Sequence, residues 1–352
     1  MLEHFVEKNI DTTLIFPKRG KDNINKSNII NYYNIINIFS IRTYNHFLPF
    51  NRIQLFEQFN FLISSFIWSA FASIKTSLSL NIKDVVMTRT HWILYFISKN
   101  KNFIIYECHK FSKIDNFVFK RLKYKNNVVI IFSNESLKKE FMLSDCLENN
   151  SLVLNSSYDE RQFKDDETKK KSKQVVFVGS LLRFNKSRNI KFLIKAFSDF
   201  RLEEFELVIV GGPADVVNSL KLEVSSNNIK FTGPLPQKEA IDVILKSEIG
   251  ILINDNNTHS VMHTSPIKYF EYLRGGLKIL AVDYPAHRNL PLNENCYYFE
   301  EGNFEDFINK LISLYNINFK FNKKIKNFSY KRRVEILINH MARLEGVEPP
   351  TL

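Results

Sequence analysis

Residues 263–276, HTSPIKYFEYLRGG, bring together groups that could handle a phosphate-bearing ligand. Ser-Pro is a helix-start signal, with Ser265 at the N-cap and Pro266 at the first helical position. Gly275 and Gly276 can end that helix. Strand-like runs bracket it at 249–254 (IGILIN) and 278–283 (KILAVD). A helix N-terminus presents unpaired N–H groups and the positive end of the helix dipole, so it binds phosphate. Ser265 and the N–H groups from Thr264 to Lys268 are placed for that, while Pro266 fixes the turn without donating. Lys268 can add a charge-assisted contact. Glu271, near the helix end, is an acceptor for paired hydroxyls such as those of a ribose. Plain helix capping and an exposed helix glutamate are the structural alternatives.

Other reactive side chains sit at strand ends. His109 follows the run FIIYE (103–107), and Glu107 alternates with it on the same strand face, where it can orient the imidazole. Arg89 ends DVVMTR (84–89). Gly211 and Gly212 end LVIVGG (207–212) and allow close backbone approach. In FTGPLP, Thr232, Gly233 and Leu235 follow a strand end, where backbone amides could read a nucleobase edge; a Gly-Pro turn is the alternative. NDN (254–256) is the nearest thing to an acidic metal motif and reads as a loop, so no metal is expected.

The elements that must position these residues are clearest in the C-terminal half. Apolar runs at 175–180, 207–212, 229–233, 249–254, 278–283 and 296–300 alternate with helical stretches at 189–199, 214–225, 236–247, 266–274 and 303–315. Strands apolar on both faces, alternating with helices, predict a parallel sheet covered by helices. In such sheets ligands bind at the carboxyl ends of the strands. The N-terminal half is similar but weaker, with strand-like runs at 12–16, 36–42, 84–89, 103–107 and 128–133 and helical stretches around 52–80, 113–122 and 134–142. Between the halves, KDDETKKKSKQ (164–174) reads as a solvated linker.

Composition sets the outer bounds. The chain has 352 residues, is 44% hydrophobic and 14% aromatic, and carries 32 Phe, enough for two domains with large cores. The formal charge of +12 suits an anionic partner: nucleic acid, an anionic membrane surface or a phosphorylated small molecule. A Lys-rich background composition would give the same number. The charge is not arranged as an aromatic-interleaved RNA module, so nucleic acid is not the expected partner. Three cysteines without pattern imply neither a disulfide framework nor a zinc site, which points to a reducing cytoplasm. No signal peptide is read at the start. The most apolar stretch, 59–74, is shorter than the roughly 20 residues a bilayer span needs. It is expected as a buried helix, with a membrane-facing amphipathic helix as the alternative.

The segments VVFVGSLLRFNKSRNIKFLIKAF, FELVIVGGP, NIKFTGPLPQKE and SPIKYFEYLRGGLKILAVD resemble, in order and spacing, glycosyltransferase family 4 of the GT-B fold. DVVMTRTHWILYF, IIYECHKF, IIFSNESLKKEF and VLNSSYDERQF are similar to its acceptor domain, and FSYKRRVEILI (328–338) to its closing helix. The resemblance implies an α/β chain of two Rossmann-like, doubly wound parallel-sheet domains facing across a cleft. The division is 1–163 for the acceptor, 164–174 as linker, 175–320 for the donor, 321–345 as a crossover helix and 346–352 as a disordered tail. It implies a retaining transferase that uses a nucleotide-sugar donor as substrate, with no cofactor, and a saccharide acceptor on a surface polysaccharide or a lipid. Peripheral contact with the inner face of the cytoplasmic membrane follows from such an acceptor. A non-catalytic GT-B-like partner subunit is the alternative.

The same resemblance assigns roles to residues. Glu271 takes the donor ribose, and Lys186, in the loop after the strand ending at Gly179, takes the diphosphate. A fixed cation there stabilises charge that grows as the glycosidic bond breaks. Ser180 stands where the family often has an Arg, and Arg183 could substitute. His109 lies beside the donor sugar and acceptor, and Arg89 near the acceptor. His263 stands where the family commonly has a first Glu facing the donor sugar; it can bind a hydroxyl or a phosphate oxygen. A surface lysine, a satisfied structural histidine, a buried ion pair and a loop histidine are the respective alternatives for Lys186, His109, Arg89 and His263. Finally, MLEHFVEKNIDTTLIF resembles the end of the family's first helix and its second strand. The N-terminal sheet is therefore expected to lack its central first strand and glycine-rich loop, leaving two neighbours with unpaired backbone groups.

Overall fold

The computed structural model describes the chain apart from residues 20–25, 34, 37–38, 47–56, 142, 164–169, 184–185 and 345–352. The expected tail and most of the expected linker therefore lie outside the described residues.

The N-terminal half runs α1 (Leu2–Glu7), β1 (Thr13–Arg19), α2 (Lys26–Tyr33), β2 (Ser40–His46), α3 (Glu57–Ser77), β3 (Val85–Thr88), α4 (His91–Ile97), β4 (Phe103–Cys108), α5 (Lys113–Arg121), β5 (Val128–Phe132), α6 (Glu135–Lys139), α7 (Asp145–Asn149) and β6 (Ser151–Val153). β1 pairs in parallel with β2, and β3-β4-β5-β6 form a separate parallel sheet. No ladder joins the two among the described residues. β4 and β5 are buried almost throughout, whereas β3 is only half-buried and Val85 is exposed at its start. Side-chain caps start the helices at the strands' carboxyl ends. Ser112 accepts the Asp115 N–H at 3.1 Å to open α5, and Asn134 accepts the Leu137 N–H at 2.8 Å to open α6.

The run 59–74 is helical, but it is not a buried helix. Within α3 the inward positions are small or hydroxylic, while Phe61, Leu62, Ile63, Phe66 and Ile67 are exposed. Its neighbour α4 went unread as an element, because a seven-residue apolar run, HWILYFI, has no decisive period.

The C-terminal half runs β7 (Gln174–Val178), β8 (Leu182–Arg183), β9 (Lys186–Ser187), α8 (Ile190–Phe197), β10 (Glu206–Val210), α9 (Ala214–Leu222), β11 (Ile229–Gly233), α10 (Gln237–Lys246), β12 (Ile249–Leu252), α11 (Ile267–Arg274), β13 (Lys278–Val282), α12 (Pro285–Arg288), β14 (Cys296–Phe299), α13 (Phe304–Tyr315) and α14 (Tyr330–Leu344). Its six-stranded sheet has the order β11-β10-β7-β12-β13-β14, all parallel. Relabelled from the first strand, that is 3-2-1-4-5-6, the doubly wound order with its switch point beside β7. Phenylalanine fills one side of the sheet. Phe192 stacks on Phe304 at 4.5 Å and on Phe299 at 5.7 Å, with Phe307 edge-on. Each such buried ring contributes roughly 1.5–3 kcal/mol.

At the switch point β7 and β12 pair only through Val175 and Val176, then part. The N–H of Val178 is left without a strand partner and donates instead to the Tyr272 hydroxyl at 3.0 Å. Gly250 makes room for that ring, since a Cβ there would lie 2.4 Å from it. The crevice opens at the carboxyl ends of the strands without orphaning a buried donor.

α14 brings the chain back to the first half. Leu337 packs with Ile105, Val129 and Ile131 under the N-terminal sheet. Tyr158 bridges to Ser329, its N–H donating to Phe328 O at 3.0 Å while its own carbonyl accepts the Tyr330 N–H at 2.9 Å. In the expected linker Lys171 and Ser172 are exposed. Lys170 is half-buried and donates to the carbonyls of Ser247 (2.7 Å) and Gly275 (2.9 Å), which close α10 and α11.

Candidate functional site

The carboxyl ends of β7 and β10 meet glycine to glycine. Gly211 has φ +149°, and a Cβ on it would fall 1.8 Å from the Gly179 carbonyl, so no other residue fits. Gly179 N–H donates to Val210 O, Leu181 N–H to Gly212 O, and Gly211 N–H to Gly233 O, tying the three strand ends into a floor with few side chains. The Arg188 guanidinium stands over it: a Cβ on Gly179 would meet Arg188 Nη1 at 2.8 Å. The backbone N–H of Arg188 donates to Leu181 O at 3.0 Å, which fixes the residue at the foot of the β8–β9 hairpin. Thr232 is exposed at the rim, with its hydroxyl on the Gly233 carbonyl, and Leu235 packs below it against the core. The backbones of Arg183 and Lys186 lie on β8 and β9; their side chains are outside the described residues.

α11 begins one residue later than the Ser-Pro signal implies, with Pro266 at the N-cap. Ser265 is not the cap, because its hydroxyl is spent across the cleft. It accepts the N–H of Ser156 at 3.0 Å, and the Ser156 hydroxyl donates to the Ser265 carbonyl. The first-turn N–H groups of α11, Ile267 and Lys268, remain the ones a helix start offers to an anion. Glu271 is 3% exposed, and the Lys268 ammonium sits on its carboxylate. Lys268 and Glu271 therefore form one unit, and Lys268 does not stand clear as an independent phosphate contact.

His263 belongs to the same cross-cleft seam. Its carbonyl accepts from Asn134 Nδ2 at 2.7 Å, and its buried ring faces Glu140 with Nε2 3.9 Å from the carboxylate. Burial lowers its pKa despite Glu140, so the ring is held neutral. Thr264 is buried beside it.

Across from the crevice, Glu107 is the hub of a charged cluster. It is 2% exposed at the end of β4. One carboxylate oxygen takes Arg333 Nη2 at 2.8 Å; the other takes Arg89 Nε at 2.6 Å and lies 3.5 Å from His109 Nε2. Burial alone would raise the Glu107 pKa. The His109 hydrogen bond and the charges of Arg333 and Arg89 outweigh it and hold the carboxyl well below the usual range. His109 is thus oriented from beneath, with nearly half of its ring surface open. Tyr330, at the start of α14, links the two sides. Burial and the charges of Glu271 and Asp159 push its hydroxyl up to about 12, against the opposing charges of Arg89 and Arg333. Tyr330 is thus under the influence of both Glu271 and the arginines of the Glu107 cluster. Among the described residues a single group could hold a cation, His4, Asp159 and Glu160, but both Asp159 oxygens are engaged by Arg161.

Residues 159–332 match the family described as glycosyl transferases group 1. That stretch, just under half of the chain, carries the family's domain. The chain is accordingly a glycosyltransferase, and the reading as a non-catalytic partner subunit is not favoured. In fold, it is similar over its whole length to solved GT-B structures. "Trehalose-6-phosphate from E. coli bound with UDP-2-fluoro glucose" superposes with a TM-score of 0.64 at 10% identity, covering 99% of this chain and 95% of that one. A glycosyltransferase from Rickettsia africae ESF-5 gives 0.62 at 13% identity, covering 98% and 93%. The lipopolysaccharide outer core galactosyltransferase WaaB gives 0.56 at 13%, covering 94% and 99%. No curated protein matches in sequence.

Within this group 1 transferase, the crevice brings together Gly179, Gly211, Gly212, Gly233 and the α11 residues, and the facing cluster brings together Arg89, Glu107 and His109. Two residues escaped the sequence reading. Arg188 was passed over for Lys186, although it sits where the chain turns from the hairpin into α8. Arg333 lies 226 residues from Glu107, and no local spacing announces that bond.

Proposed function

We propose that the chain is a retaining glycosyltransferase that moves a sugar from a nucleotide-sugar donor to a surface-polysaccharide or lipid-linked saccharide, at the inner face of the cytoplasmic membrane. Residues 175–320 carry the donor and 1–163 the acceptor. The observation that carries this reading is the pairing of a backbone-lined floor at Gly179 and Gly211, overhung by Arg188, with the His109–Glu107–Arg333 cluster facing it. Glu271 takes the ribose hydroxyls. Arg188, Lys186 and the start of α11 hold the diphosphate, whose negative charge grows as the bond to the sugar breaks. The C1–O(phosphate) bond breaks and the acceptor oxygen bonds C1 on the same face; the acceptor proton passes to the departing phosphate oxygen. His109, held by Glu107, positions the sugar, and no step is routed through a cofactor or a metal ion.

The experiment is a screen of nucleotide-sugars with a soluble saccharide acceptor, reading nucleoside diphosphate release and the anomeric configuration of the product by NMR. Retention of configuration is expected. An inverted product would overturn the mechanism, and failure of every nucleoside diphosphate to raise the melting temperature would overturn the donor site.

A further inference from the structure

α3 is built inside out for a helix in water. Its buried positions are Ser64, Ser69, Ala72, Ser73 and Thr76, all 8% exposed or less. Its outward positions are Phe61 (53% exposed), Leu62 (44%), Ile63 (41%), Phe66 (40%) and Ile67 (50%), with Ile74 (63%) further along. An exposed apolar run of this kind marks an interaction surface. α3 is not long and apolar enough to cross a membrane.

The charge around this face is mostly positive. From Glu57 to Asn127 the chain carries eleven Lys and Arg against four acidic residues, Glu57, Asp84, Glu107 and Asp115. Glu107 and Asp115 are buried, and Asp84 is engaged by the Asn81 N–H. α3, α4 and α5 pack side by side, so the basic and apolar groups share one helical layer. Lys99 lies over the Tyr95 and Phe96 rings, Arg121 over the exposed Phe117 and Lys123 over the exposed Tyr124. Cations fringing aromatic rings beside an aliphatic face suit the headgroup boundary of an anionic bilayer. A second copy of the chain would instead set like charge against like.

We propose that the exposed face of α3 docks on an anionic lipid surface, with Phe61, Leu62, Ile63 and Ile67 entering the headgroup boundary. This deepens, and rests on, the peripheral position proposed above. The geometry also sets the direction of approach. α3 leads into β3, so its first turns lie at the carboxyl end of the sheet. Phe66 meets Trp92 at 4.8 Å, three residues beyond Arg89. The docked face therefore adjoins the acceptor side of the cleft, and an acceptor held in the membrane would reach Arg89 and His109 without leaving the surface.

The test is co-sedimentation with vesicles of phosphatidylglycerol and phosphatidylcholine, against phosphatidylcholine alone. Pelleting is expected with the anionic vesicles only, falling as salt is raised. The triple variant Leu62→Ser, Ile63→Ser, Ile67→Ser should lose at least tenfold in vesicle affinity. Its circular dichroism melt and its thermal shift with a nucleoside diphosphate should be unchanged. Lys99→Gln with Lys101→Gln, which leaves the apolar face intact, should flatten the salt dependence. No pelleting with either vesicle, or equal pelleting with both, overturns the proposal. So does a wild-type dimer in light scattering that the triple variant dissolves, since the face would then bind protein. Nucleotide binding that persists while vesicle binding fails would sink this inference alone and leave the transferase reading standing.

Discussion

Replacing Arg333 by Met tests whether the last helix holds the catalytic cleft in shape. Arg333 is 7% exposed and donates to three acceptors: Leu154 O at 3.0 Å, Asn155 O at 2.7 Å and Glu107 Oε1 at 2.8 Å. Removing one partner of a buried ion pair costs about 3–5 kcal/mol, because the other charge stays behind. Glu107 keeps Arg89 and His109, so the loss should fall near the low end, at about 3 kcal/mol. In urea that lowers the unfolding midpoint by about 1 M. The pH dependence has a defined sign. The folded-state pKa of Glu107 is depressed, so its stabilising contribution is fully present above the unfolded value of about 4.3 and is lost as pH falls through the folded value. The variant has less of that contribution to lose, so the gap to wild type should hold above the unfolded value and narrow as pH falls below it towards the depressed folded value. Transfer rate should fall more than nucleotide affinity, since Glu107, which orients His109, loses one of its anchors while the donor crevice does not. A variant within ~0.5 kcal/mol of wild type, or a gap constant with pH, would refute the reasoning.

Glu271→Gln should weaken nucleoside and nucleoside diphosphate alike by ~1.5–3 kcal/mol, roughly 10- to 100-fold, measured by calorimetry. Arg188→Gln should instead cost more with each added phosphate; equal losses across the series would remove it from the diphosphate. Tyr272→Phe leaves the Val178 N–H buried without an acceptor and should cost ~1–3 kcal/mol in denaturant unfolding. Gly211→Ala should abolish soluble expression or nucleotide binding, because its Cβ would overlap the Gly179 carbonyl.

The donor half was readable because strands buried on both faces leave unbroken apolar runs. IGIL and KILAV are buried at every position and could be mistaken for little else. Glu107 beside His109 was also legible, since alternation on a strand is local. What escaped was whatever depends on a distant partner. Ser265 carries a cap signal, yet its hydroxyl serves Ser156, 109 residues away. Lys268 and Glu271 have separate plausible roles on paper and one shared contact in the fold. Hydrophobicity announced α3 but not its orientation, because only packing decides whether Ser64 or Phe66 turns inward.

The Tyr272 wedge has a consequence for how this protein can change over generations. The ring occupies the volume that any side chain at Gly250 would need, and its hydroxyl stands in for a missing strand at Val178. Neither position can drift alone. A larger residue at 250 collides with the ring, and a smaller one at 272 strands a donor and empties a hole in the sheet. The two behave as a single inherited trait, and directed evolution towards a different donor will find this corner of the crevice reachable only by a double step.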